Sequence, residues 1–323
     1  MLLLNNSERI FAAIMSEKKP LAISGALAIS IGAILWGLDG VVLTPRLYNL
    51  PVAFVVFILH AIPFLLMNFI FSKEYRLLRS FSKRDSFFMF MASLLGGALG
   101  TLAIVKALFL VNFQSLSVVV LLQKLQPIFA ISLAAIILKE KIKKGFLPWA
   151  ALAIIAGYFL TFGLNNPNFE TGSNTGLAAV YSILAAMAFG ASTVFSRGVV
   201  QHIPFQAATF FRYGITTIIM LAIVLATGSL ASFQSITANN WLIIFIIIFT
   251  TGSGAIFLYY YGLRKVPAMV ATILELLYPI SAIIFDYIFN NRTLSLLQWF
   301  AAIVMIFSII KITFPKRLKA CPR

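Results

Sequence analysis

Long apolar stretches, separated by short polar segments, run along almost the whole chain. Ten of them reach about 20 residues, the length that a helix needs to cross a hydrocarbon core of about 30 Å. In lipid, a helix satisfies its backbone hydrogen bonds within one segment. The pattern therefore predicts ten helical spans, at residues 21–45, 51–71, 86–110, 113–138, 146–164, 176–198, 204–227, 240–262, 267–290 and 295–314.

Landmarks of the first half recur in the second. The equivalent positions, 152 or 153 residues apart, are Trp36-Gly37 with Phe189-Gly190, Pro51 with Pro204, and Pro127 with Pro279. Each half holds five predicted spans, and an odd number makes the second copy enter the bilayer in the opposite sense. We therefore expect an all-α membrane protein whose ten transmembrane helices form two inverted five-helix repeats. Many secondary transporters have this architecture and bind substrate near the midplane.

The positions of Lys and Arg predict the orientation of the chain. With the N-terminus in the cytoplasm, 20 basic residues fall in inside segments and only 2, Arg46 and Arg292, fall in outside loops. Cytoplasmic loops normally carry such an excess, so both termini are predicted to be cytoplasmic. The expected boundaries are an amphipathic lead-in at 1–20, repeats at 21–164 and 176–314, a periplasmic connector at 165–175 and a basic tail at 315–323.

Composition argues against several other classes of protein. The chain is 61% hydrophobic and 11% charged, whereas soluble domains are about 25% charged. The net charge of +16 comes from basic residues in the gaps between apolar runs, so nucleic acid is not an expected partner. The sequence has one cysteine, Cys321, and no zinc-ligand spacing or Walker motif. We therefore expect no metal site, no cofactor and no ATP-driven pump.

The order and spacing of the motifs resemble the drug/metabolite transporter superfamily and, within it, the bacterial EamA-type exporters. The residues that carry the resemblance are Trp36-Gly37 in the first span, Pro127 and Leu138-Lys139-Glu140 in the fourth, and Arg212 in the seventh. The second repeat departs from the pattern, with Arg292 in place of Glu140 and Phe189 in place of Trp36. The resemblance implies secondary transport in the inner membrane by alternating access, in the outward direction.

Seven ionisable residues fall inside the predicted spans, where a charge costs about 2.5–3.5 kcal/mol on insertion scales. These functional candidates are Asp39, His60, Lys106, Lys124, Arg212, Glu275 and Asp286. Pro127 and Pro279 should kink equivalent helices, because proline removes a backbone hydrogen bond. Each proline lies four residues after a polar position, Gln123 or Glu275. The predicted substrate-binding residues are Trp36, Gln123, Lys124, Arg212, Glu275 and Tyr278, with Tyr259, Tyr260 and Tyr261 as further aromatic candidates.

Several roles are open for the charged residues. Glu275 is the favoured site of proton coupling, with Asp39 and His60 as further candidates, since histidine has an unperturbed pKa of about 6.5. Asp39 and Lys106 lie near the outer ends of their spans and could form a gate or a structural pair. Lys124 could pair with Glu275, and Asp286 could pair with Arg292.

An acid and a base at similar depth favour a small polar or zwitterionic cargo, such as an amino acid or an amino-acid-like compound. One alternative is the export of cationic, aromatic toxic compounds. Another is an intramembrane enzyme or a lipid-handling protein, which would need a nucleophile with its base or a cluster of metal ligands. His60 is the only histidine in the spans, and we expect no enzymatic activity. Protons are a candidate partner, although facilitated diffusion without them is also open.

Overall fold

The computed structural model describes residues 6–110, 119, 122–164, 174–291 and 293–314. This described part of the chain is helical and contains no strand. The helices of the first half are α1 (Asn6–Leu38), α2 (Val52–Phe71), α3 (Lys83–Ser93 and Gly100–Leu110), α4 (Gln126–Ile137) and α5 (Phe146–Phe162). Those of the second half are α6 (Thr175–Val200), α7 (Phe205–Ala226), α8 (Ala238–Ile247 and Ser253–Leu263), α9 (Ala268–Leu274 and Leu277–Asn290) and α10 (Leu296–Thr313).

Eight helical segments among the described residues are long and apolar enough to cross a membrane. They correspond to all the predicted spans except the fourth and fifth. α4 and α5 are shorter apolar helices, and residues 113–118, 120 and 121 of the predicted fourth span lie outside the described residues. The all-helical class is therefore confirmed, while the count of ten spans and the inversion of the repeats stay predictions.

The two ends of the chain and its middle connector are described only in part. α1 runs without a break from Asn6 to Leu38, so the described residues of the predicted lead-in are continuous with the first span. Residues 165–173 of the predicted connector and the tail at 315–323 lie outside the described residues. Arg292 and Cys321 do so as well, which leaves the predicted Asp286–Arg292 pair as a prediction.

The two halves of the chain interlock. α1 packs against α8 and α9, and α6 makes the equivalent contacts with α3 and α4. α2 pairs with α7, and α5 pairs with α10. All of these extensive pairs join the first half to the second. The hydrophobic core is therefore shared by both halves and includes Ile29, Met89, Phe210 and Tyr260.

Equivalent helices are interrupted at equivalent places. α3 and α8 both change to π-helical geometry at mid-length, over Leu94–Leu99 and Ile248–Gly252. A two-residue turn precedes Pro127 at residues 124–125, and another precedes Pro279 at residues 275–276. α1 also ends in a π-helical segment, Asp39–Leu43. Because π segments occur frequently at functional sites, the space between these interruptions is the place to look for a ligand site.

The close approach of α1 and α8 depends on glycine. A Cβ added to Gly262 would lie 2.4 Å from the Gly25 carbonyl oxygen and 2.6 Å from Ile29 Cγ1. The backbone oxygen cannot swing away as a flexible side chain would. We expect Gly262→Ala to lower the free energy of unfolding by about 1–3 kcal/mol, the usual cost of overpacking. The measurement is the Tm of the purified protein in detergent.

Gly176→Ala is the matched control for this variant. No atom lies within 4 Å of a Cβ built on Gly176, and alanine is favoured over glycine within helices. Its Tm should equal or exceed that of the unchanged protein. A Gly262→Ala protein as stable as the Gly176→Ala protein would contradict the tight packing of α1 on α8.

Candidate functional site

A central cavity of about 380 Å³ lies between the two halves of the molecule. Small-molecule sites typically measure about 300–1,000 Å³, so the central cavity is large enough for a metabolite. Its wall includes five of the six residues predicted to bind substrate, and the candidate proton sites Asp39 and His60 also line it. The five are Trp36, Gln123, Arg212, Glu275 and Tyr278.

Glu275 lies at the turn within α9, and three uncharged donors converge on its carboxyl group. Gln126 Nε2 donates to Oε2 at 2.7 Å, and the Tyr259 hydroxyl donates to Oε1 at 2.6 Å. Thr193 Oγ1 also donates to Oε1, at 3.2 Å. These donors come from α4, α8 and α6, so Glu275 connects four helices from both halves beside the central cavity.

Lys124 lies apart from the central cavity, and its predicted ion pair with Glu275 does not form in this structure. It lines a second cavity of about 230 Å³. Gln123, Gln126, Glu275 and Tyr278 belong to the walls of both cavities. No described carboxylate lies within 4.0 Å of the Lys124 ammonium. The second cavity is therefore a side chamber separated from the first by polar and aromatic side chains.

Arg212 is a buried cation in the wall of the central cavity. Its side chain is 8% exposed, and Nη1 donates to the Tyr260 hydroxyl at 3.0 Å. Its guanidinium carbon lies 5.5 Å from the centre of the same ring. Gly96 lies against the guanidinium, since a Cβ there would be 2.9 Å from Nη2. No described carboxylate is within ion-pair distance, so Arg212 presents an unpaired positive charge to the cavity.

Asp39 lines the central cavity at the point where α1 becomes π-helical. Thr44 and Thr251 each donate to its carboxylate at 2.9 Å. Lys106 is an exposed residue of α3 and does not line the central cavity. Because no ion pair joins Asp39 and Lys106 in the described structure, the predicted gate pair is not formed in this conformation.

His60 and the aromatic residues form other parts of the wall. His60 Nδ1 lies 2.8 Å from the Val56 carbonyl oxygen, and its ring centre lies 5.1 Å from that of Tyr213. One ring nitrogen is therefore engaged within α2. Trp36 lies 5.3 Å from Tyr259, centre to centre. The cavity thus offers aromatic faces together with polar groups.

Sequence reasoning missed several polar residues of the central cavity. Among them are Gln126, Ser192, Thr193 and Thr251. A signal existed for Ser192, which lies 153 residues after Asp39, the same spacing that relates Trp36-Gly37 to its counterpart. Threonine and glutamine cost far less than a charge within a membrane helix, so the other three carry no comparable signal.

The chain belongs to the EamA-like transporter family. The family model matches it twice, over residues 23–163 and 176–314. This match shows a two-repeat architecture and confirms membership of the drug/metabolite transporter superfamily, which the motifs indicated. The protein is therefore a multi-pass membrane transporter and not an enzyme.

Two relatives and one solved structure are similar to this chain. The chain is 52% identical over 292 residues to the riboflavin transporter ImpX of Fusobacterium nucleatum subsp. nucleatum, with 90% of this chain and 98% of the relative covered. It is 26% identical over 271 residues to an uncharacterized transporter of Synechocystis, with 79% and 73% covered. A crystal structure aligns with a TM-score of 0.70 at 14% identity over 90% of this chain and 98% of the other, which shows likeness of fold.

Proposed function

We propose that this protein transports riboflavin across the membrane by way of the central cavity. The observation that carries the proposal is the 52% identity to a transporter named for riboflavin, over 98% of that relative's length. A similarity over 90% of this chain extends through most of both repeats. The proposal replaces the amino acid as the first candidate substrate.

The wall of the central cavity suits the chemistry of riboflavin. The isoalloxazine ring is planar and aromatic, so it can stack on faces such as those of Trp36 and Tyr278. Its pyrimidine edge carries carbonyl oxygens, to which the Arg212 guanidinium can donate. Its ribityl chain carries hydroxyl groups, which can donate to the carboxylates of Glu275 and Asp39. A neutral ligand with many hydrogen-bonding groups thus fits a wall that holds both acids and a base.

We further propose that ten spans form two inverted repeats that expose the central cavity to each side of the inner membrane in turn. α1 packs on α8 and α9, and α6 makes the equivalent contacts with α3 and α4. This equivalence supports the mechanism. The π segments of α3 and α8 lie where those helices would bend. Both termini are then cytoplasmic, in line with the distribution of Lys and Arg.

A zwitterionic amino acid, moved outward, is the second candidate. The observation in its favour is that Glu275 and Arg212 line the same cavity without forming an ion pair. They could bind an ammonium and a carboxylate group at once. The many aromatic side chains of the wall favour riboflavin over a small amino acid.

The test is flux through the purified protein in sealed liposomes. We expect riboflavin, followed by its own fluorescence, to cross only the membranes that contain the protein. An excess of mixed amino acids should leave that flux unchanged. Loading riboflavin on either side, with and without a pH gradient, measures the direction and any proton coupling. Amino-acid flux without riboflavin flux would overturn the proposal in favour of the second candidate.

A further inference from the structure

A third cavity, of about 690 Å³, lies at the face of the molecule that the basic residues predict to be cytoplasmic. We call it the basic cavity. The segments around it include the connection from α4 to α5, the start of α9 and the ends of α6 and α10. Its wall carries six basic side chains and one acidic side chain: Lys141, Lys143, Lys144, Arg197, Lys265, Lys311 and Glu140.

The one acidic residue offsets only a small part of the positive charge. Glu140 Oε1 accepts a hydrogen bond from the Ala268 backbone N–H at 2.8 Å, and Oε2 accepts one from the Met269 N–H at 3.1 Å. Glu140 therefore caps the first turn of α9. Within the described residues no ion pair joins it to a basic side chain of the cavity. The wall thus keeps an excess of five positive charges.

Arg197 is partly buried and incompletely bonded. Its Nη1 donates to the Leu263 carbonyl oxygen at 2.5 Å, while its Nε is buried without a hydrogen-bond partner in the described structure. Arg197 also lines the basic cavity, and an oxyanion there would lower the repulsion among the cationic side chains.

We propose that the basic cavity binds a phosphate group. Phosphate oxygens accept strong, charge-assisted hydrogen bonds from arginine and lysine. Basic pockets between helices at the cytoplasmic face are known to bind anionic lipid head groups. Phe146, Trp149 and Ile312 add apolar wall beside the cations, which favours a phospholipid, whose acyl chains are apolar, as the source. A soluble phosphorylated metabolite presents the same group and is the other source.

The test measures stabilisation of the purified protein in detergent, because a ligand that binds the folded state raises its apparent Tm. The probes are phosphatidylglycerol, phosphatidylcholine, inorganic phosphate and glycerol 3-phosphate. We expect phosphatidylglycerol, whose head group is anionic, to raise the Tm, and phosphatidylcholine, whose phosphate is neutralised by its own choline cation, to have little effect. Stabilisation by phosphatidylglycerol alone identifies a lipid source, whereas equal stabilisation by glycerol 3-phosphate identifies a soluble one. No stabilisation by any phosphate beyond that of phosphatidylcholine overturns the proposal.

Matched variants separate the basic cavity from the general charge of this face. The combined substitution Lys143→Gln, Lys144→Gln and Lys311→Gln should raise the phosphatidylglycerol concentration needed for half of the full stabilisation, on the order of tenfold or more. Each cation contributes about 1 kcal/mol near anionic lipid. The control is Lys73→Gln, Arg76→Gln and Arg79→Gln, three exposed residues outside the cavity. Equal weakening in both proteins overturns the proposal. If the first variant does not fold, Lys144→Gln against Arg76→Gln gives the same comparison.

Discussion

Glu275→Gln is expected to reduce riboflavin flux by about tenfold or more and to remove any response to a pH gradient. The carboxyl group of Glu275 accepts hydrogen bonds from Gln126, Tyr259 and Thr193. A carboxamide has the same shape, but one of the two oxygens becomes an NH₂ group. That NH₂ group would face hydrogen-bond donors, either Gln126 or the pair Tyr259 and Thr193. Loss of a hydrogen bond to a charged group costs about 1.5–3 kcal/mol. The variant also cannot bind and release a proton. The measurement is initial flux in liposomes, with and without the gradient.

Two controls accompany this variant. Glu74→Gln removes a carboxylate that lies outside the central cavity and should leave flux unchanged. The Tm of the Glu275→Gln protein shows whether it is still folded. Flux at the unchanged rate, with the same response to pH, would contradict the role of Glu275. If the unchanged protein itself ignores the gradient, transport is facilitated diffusion and only the loss of flux is expected.

Arg212→Lys should weaken riboflavin binding by about tenfold to a hundredfold while changing the Tm little. The guanidinium is a planar fork of donors, whereas an ammonium is a point charge and cannot donate in the same bidentate manner. Because no described carboxylate pairs with Arg212, the substitution leaves no buried acid without a partner. Binding is measured by the quenching of riboflavin fluorescence as the purified protein is added.

The matched control for Arg212→Lys is Arg264→Lys, an exposed residue that lies outside the central cavity. This variant should bind riboflavin like the unchanged protein. Unaltered affinity in the Arg212→Lys protein would show that its guanidinium does not contact the ligand. A zwitterionic cargo predicts a different result, in which the affinity for riboflavin is negligible in all three proteins.

The helices could be predicted from sequence because backbone groups in lipid have no water to bond with and must form their hydrogen bonds within the protein. Any apolar stretch of sufficient length must satisfy its amides internally, so the eight long apolar segments fall where hydropathy placed spans. The interruptions were harder to predict. Prolines indicated the breaks near Pro127 and Pro279, whereas the π segments at Leu94–Leu99 and Ile248–Gly252 have no proline signal. They depend on how α3 and α8 pack against their neighbours.

Much of the candidate site could be predicted from charge and from the motif positions at or beside Trp36, Gln123 and Tyr278. Arg212 and Glu275 stand out because a charged side chain at bilayer depth is costly. Gln123 and Lys124 are adjacent in sequence, yet only Gln123 lines the central cavity. Successive residues of a helix are about 100° apart around its axis, so the two side chains point in different directions: Gln123 lines both cavities, whereas Lys124 lines only the second. Hydropathy alone does not give that rotation, and a neutral substrate leaves no charge signature in the sequence.

The interlocked packing also has a consequence for how the protein is made. The extensive helix contacts all join the first half to the second, so the first half has few partners of its own. Chains grow at about 5–20 residues per second, which puts the end of synthesis roughly 10–30 s after the first half is complete. During that interval Asp39 on α1 lacks its partner Thr251. Gly96 on α3 likewise lacks Arg212, which lies against it in the complete protein. The insertion machinery or lipid must therefore shield the unfinished first half until its partner helices arrive.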